Sequence, residues 1–281
     1  MTAYLIRSTV LLFSVVGPAL SAGADRDAKA PSLSHEQISK YLEAGRGLLL
    51  KGIPGEAISQ YFDPVIQSYA QSNQDPDVQV YSAHSLMESL IYAALTTAAA
   101  DQDKNHGKHS SIIVDGAWTD ALEMKAYALS ELGRPDEAKI VLQQAIAVSP
   151  DYPVPWLELG SVYQTEKNWA AAMDAYQHGE DAANFLDDGA VKNEKLGRAL
   201  RGKAFVLTEL GRLDESEALY KRCLSINTDD DMAKHELDFI AHLRKSQEQK
   251  PPALPSNLPS TSPEAVSPTT APTGTASGEK Q

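Results

Sequence analysis

The sequence has little with which to do covalent or redox chemistry. Its one cysteine, Cys223, excludes an internal disulfide and any multi-cysteine metal cluster. A P-loop, a glycine-rich dinucleotide fingerprint, a G-x-S-x-G elbow and an H-E-x-x-H pair are all missing, so none of these motifs calls for a cofactor or a catalytic residue. Basic charge is scarce too: 25 Lys and Arg stand against 38 Asp and Glu, for a net −13. An acidic chain repels phosphate backbones, which argues against a nucleic-acid partner. The apolar run over residues 10–20 (VLLFSVVGPAL) holds Pro18 and falls short of the ~20 residues a bilayer span needs.

That run has another reading. Arg7 precedes it without any acid, and Ala22, Gly23 and Ala24 come after it in a small-x-small pattern before Asp25. This is the three-part layout of a secretory signal peptide over residues 1–24. Cleavage after Ala24 removes Arg7 and takes the net charge from −13 to −14. No cysteine stands at the end of the run to carry a lipid, so the expectation is an exported chain, bacterial periplasmic or secreted, with no stable membrane span.

Residues 25–33 are polar and loose, and residues 34–100 form a divergent helical region. Ser34 and Gln37 make a capping box, and Ile38, Tyr41, Leu42, Leu48 and Leu49 recur at helical spacing until Gly52. A second helix opens at Pro54, so residues 38–70 read as one weak, divergent helix–turn–helix repeat; Pro64 inside it is expected to kink the helix and part the hairpin from the next element. Residues 78–100 read as one long apolar helix, and residues 101–117 as a polar loop and lead-in.

From Trp118 the chain repeats itself. Residues 126–137 (AYALSELGRPDE) and 204–215 (AFVLTELGRLDE) are identical at eight of twelve positions, too many for coincidence at one register. Between them, residues 156–163 (WLELGSVY) place Trp156, Leu159, Gly160 and Tyr163 at W-x2-L-G-x2-Y spacing, with Ala172 and Tyr176 further on. The chain thus resembles the tetratricopeptide repeat family, whose unit is a helix–turn–helix of about 34 residues. Three units occupy residues 118–228; roughly ten extra residues fall between the second and third, within 180–197. A capping helix over residues 229–246 and a Pro/Ser/Thr-rich tail over 247–281, expected to be disordered, complete the chain.

The resemblance implies an all-α, right-handed α-solenoid whose first helices line a concave, non-catalytic surface for a protein or peptide. It places Glu123, Tyr127 and Glu131 on that face in the first unit. Leu157, Glu158, Ser161 and Gln164 take the same places in the second, and Arg198, Arg201, Phe205 and Thr208 in the third. Arg198 and Arg201 are expected to meet an acidic group. The Lys/Asn-rich set with which chaperone-binding members clamp a terminal carboxylate is missing.

A competing expectation rests on Asp101, Asp103, His106 and His109, a group of side chains that could hold a divalent ion and make this a metal-dependent protein or enzyme. The spacing matches no known metal motif, and Lys104 and Lys108 intervene, so an ordinary solvated loop is favoured. Cys223 sits where the other units have Ala145 and Gly179, which makes it a small core residue rather than a reactive thiol.

Overall fold

A computed structural model describes residues 33–75, 77–102 and 110–248 of the chain. Helix α1 (His35–Leu50) starts at the capping box: Ser34 Oγ accepts from the Gln37 amide at 3.3 Å, and the Gln37 side chain accepts from the Ser34 amide at 2.8 Å. Gly52, at φ 72°, turns the chain into α2 (Pro54–Ala57).

Pro64 does not part this hairpin. A π-helical turn, Ile58–Phe62, carries the chain into α3 (Asp63–Ser72), with the Asp63 amide reaching back to Ile58 O. The wider turn places Pro64 in the first turn of α3, where a missing amide proton costs little. Phe62 thereby lies against α1 at Gly45, where an added Cβ would come within 2.4 Å of its ring.

The expected helix over residues 78–100 begins later than its apolar pattern suggested. Its first residues form β1 (Val78–Ala83), and the helix itself is α4 (Leu86–Gln102). Strand β2 (Ser110–Asp115) then pairs parallel to β1, from Val78 opposite Ser110 to Ala83 opposite Asp115. Among the described residues this small βαβ unit stands between helices on either side. Its polar atoms tie it down: buried Ser82 donates to Asp115 O at 2.9 Å and accepts from the Thr119 amide, while Ser149 donates to Ser82 O at 2.7 Å. Asp115 accepts from the Tyr69 hydroxyl and lies 3.0 Å from His35, linking the unit back to α1 and α3.

The array continues as α5 (Ala117–Glu131) and α6 (Pro135–Val148), α7 (Pro153–Thr165) and α8 (Trp169–Asn184), then α9 (Ala190–Glu209) and α10 (Leu213–Ile226). Elbow glycines Gly133 (φ 69°) and Gly211 (φ 73°) adopt the left-handed conformation that glycine takes without strain. At the matching place in the middle unit stands Lys167, at φ 57°. The extra residues between units two and three lengthen α9 at its N-terminal end. Helix α11 (Asp231–Glu248) covers α10, with Ala233 and Ile240 buried and exposed polar residues outward. Among the described residues no helix is long and apolar enough to cross a membrane.

Small residues set the helix spacing. The Tyr176 ring of α8 lies between Gly160 of α7 and Gly202 of α9; a Cβ at either would come within 2.7 Å or 2.5 Å of it. Trp156 belongs to the same frame: its indole N–H donates to Pro150 O at 2.8 Å, and its ring stacks on His178 at 4.4 Å. Cys223 is buried, and that burial pushes its thiol up to about 11, consistent with a core residue.

Candidate binding groove

The first helices of the units, α5, α7 and α9, lie side by side, and the N-terminal half of α11 closes one end of the surface they make. Here α7, α8, α9 and α11 enclose a groove of about 640 Å³. Five residues that the sequence assigned to the concave face line it: Ser161, Gln164, Arg198, Arg201 and Phe205. Tyr176 supplies part of its floor and donates through its hydroxyl to Gln164 at 2.8 Å.

Two assigned residues do not reach the surface. Leu157 is 0% exposed and packs among Ala172, Tyr176, Ala199 and Val206. Thr208 is 9% exposed, and its hydroxyl bonds Ala204 O at 3.1 Å and Ser216 Oγ at 2.7 Å. The reason is helical phase: Leu157 precedes Gly160 by three residues and Thr208 comes four after Ala204, so each shares the face of the small packing residue. Tyr127 and Glu131 are exposed on α5 but stand outside the groove lining.

The two arginines inside are already matched. Arg198 Nη2 lies 2.8 Å from Glu158 Oε1, and Arg201 pairs with Asp230. Asp230 is buried and also caps α11, accepting from the Ala233 amide at 3.0 Å. The expectation that these arginines await an acidic group is therefore corrected: an incoming carboxylate would have to displace Glu158 or Asp230. Farther along, Glu123 faces Glu158, Asp120, Lys195 and Arg198; burial first, then the two carboxylates, push its pKa up to about 8 against the pull of the two cations.

His84, at the end of β1, is a second group whose titration the surroundings shift. Its ring stacks on Tyr152 at 3.7 Å and lies 3.1 Å from Asp120 and 3.5 Å from Glu88. Burial alone would lower its pKa, but hydrogen bonds to Asp120 and Glu88 raise it to about 9. It acts as a charged rivet between the βαβ unit and α5.

Sequence reasoning missed the wall supplied by Asp231, Met232, His235 and Glu236 of α11. These residues belong to no repeat, so the repeat pattern carries no signal for them. Asp101 falls in α4, while His106 and His109 of the alternative metal loop lie outside the described residues. No group of three or more His, Cys, Asp or Glu side chains among the described residues could hold a metal ion.

Two family profiles, both described as tetratricopeptide repeat, match residues 119–162 and 199–230. The first match spans the α5–α6 hairpin and most of α7, and the second spans the C-terminal half of α9 and all of α10. Over these residues the chain consists of tetratricopeptide repeats. Its all-α solenoid is that of a family whose members generally serve as protein-interaction scaffolds. No curated protein matches the chain. Among solved structures it is similar to the MamA RS-1 ArsTM double mutant, at 13% identity and a TM-score of 0.41, over 76% of this chain and 97% of that one.

Proposed function

We propose that this repeat protein is a non-catalytic scaffold that holds a peptide segment of a partner protein in the groove between α7, α9 and α11. The observation that carries the reading is the convergence of five first-helix side chains from two repeats on one groove of about 640 Å³. Phe205 and the exposed Met232 offer apolar contact, while Ser161 and Gln164 supply hydrogen-bonding groups for a peptide backbone. Because Arg198 and Arg201 already have partners, the groove suits a segment with little charge. The packed helices give a pre-formed surface, which reduces the ordering cost of binding.

Export is part of the proposal and is supported by the Arg7, apolar-run and Ala22-Gly23-Ala24 pattern. A photo-crosslinking residue at position 205, compared with one at the exposed Gln144 of α6, tests the groove in the native cell. An adduct with a defined partner peptide from position 205 alone is expected; equal adducts from both positions, or none, would refute groove binding. Mass spectrometry of the purified native protein tests export: an N-terminus at Asp25 is expected, and an intact Met1 overturns it.

A further inference from the structure

We propose that the groove is occupied in cis by the protein's own proline-rich tail, through residues 251–263. This rests on the reading of the groove as a peptide site and goes beyond it by naming an occupant and a means of regulation. Three observations meet here. Residues 251–263 read PPALPSNLPSTSP and carry no charge, and the arginines at the groove are already neutralised by Glu158 and Asp230. Prolines favour the polyproline II conformation, three residues per turn with a rise of about 3.1 Å. At that period Pro252, Pro255 and Leu258 share one face, about 19 Å long. Phe205, Met232 and the edge of Tyr176 offer that face an apolar and aromatic surface, the kind to which such helices dock.

The tether permits it. The tail leaves the end of α11, the same helix whose first turns, at Met232 and His235, form the groove wall. From His235 to Glu248 the helix rises about 20 Å. Residues 249–255 in extended form span about 23 Å, enough to run back along α11 and place Pro255 and Leu258 at the groove. A tether this short gives an effective concentration of about 1 mM, so even an intrinsic dissociation constant near 0.1 mM would keep the groove closed about nine-tenths of the time. A partner peptide would then compete with the tail, its apparent affinity reduced about tenfold.

Methyl NMR of methionine tests this directly, because Met232 stands in the groove while Met87, Met124 and Met173 lie on α4, α5 and α8. In the full chain, Pro255→Asp with Leu258→Asp is expected to move the Met232 methyl resonance to its position in a chain ended after Glu248, leaving the other three unchanged. A synthetic peptide of residues 251–263 should move it back in the shortened chain, and should need about tenfold more peptide in the full chain. A Met232 resonance indifferent to both the double substitution and millimolar peptide overturns the proposal. So does a full-chain Met232 shift that fades on dilution, which assigns the groove to a second copy's tail. If the tail fails these tests while the crosslinker at position 205 still captures a partner peptide, the groove reading stands and only the cis occupant falls.

Discussion

Changing Gly202 to Ala tests the packing on which the groove depends. The added carbon would stand 2.5 Å from Cε1 and Cζ and 2.6 Å from Cε2 of Tyr176. Carbon atoms pack comfortably at about 3.5–4.0 Å, so the overlap is about 1 Å across the ring edge. The ring has no easy retreat, because on its other flank the position of a Gly160 Cβ is already 2.7 Å from Tyr176 Cε1. Overpacking of this kind costs about 1–3 kcal/mol. Alanine recovers about 1 kcal/mol through its better helix propensity. With three ring atoms overlapped the overpacking lies at the upper end of that range, so the expected net loss is about 2 kcal/mol, read as a lower urea midpoint by far-UV circular dichroism. Gly47→Ala in α1, where an added Cβ meets nothing within 4 Å, is the control and is expected to stabilise by up to about 1 kcal/mol. Adding Tyr176→Ala to Gly202→Ala removes the clash, so the pair should be less destabilised than the sum of the single changes by at least about 0.5 kcal/mol. A Gly202→Ala protein as stable as the wild type, beside a control that behaves as stated, would refute the reasoning.

Lys167→Gly should stabilise the middle unit by about 0.5–1 kcal/mol in thermal or urea unfolding. It relieves the side-chain cost of a left-handed backbone, less the extra entropy glycine brings to the unfolded chain. Asp230→Ala removes the cap of α11 and leaves Arg201 without its partner, so a loss of about 2–4 kcal/mol is expected; Asp230→Asn, which keeps a capping oxygen, should lose less. For pH, both raised groups act in one direction. His84 binds its proton more tightly folded than unfolded, so its contribution is full below about pH 6.5 and lost as pH rises through about 9. Glu123 holds its proton up to about 8, so the folded state carries a growing penalty from about pH 4.5 to 8. Stability measured by urea titration should therefore decline from pH 5 to 9; His84→Gln should flatten the upper part of that slope and Glu123→Gln the lower part.

The repeat architecture was legible because it is written locally. A helix–turn–helix unit declares itself through glycine at the elbow, small residues at the crossings and apolar residues three or four apart, and Gly133, Gly211, Gly160 and Ala204 all stand where that logic places them. The Ser34–Gln37 capping box is equally local, needing only residues three apart. Even the two misplaced site residues were within reach of the sequence, since the spacing of Leu157 from Gly160 and of Thr208 from Ala204 assigns them to the packing face.

What the sequence could not decide depends on partners far apart along the chain. Strand β1 forms because β2, 32 positions later, offers it a ladder, and no window around Val78 contains that information. Alone, residues 78–83 carry an apolar pattern that a helix satisfies as well. The π turn ahead of Pro64 is likewise a tertiary choice, made where Phe62 must settle against Gly45. The groove obeys the same rule. Its arginines looked free in the sequence, but Arg198 meets Glu158 across 40 positions and Arg201 meets Asp230 across 29. Repetition along the chain determined the scaffold. Contact between distant residues decided how much of its surface remained charged, and therefore what it can hold.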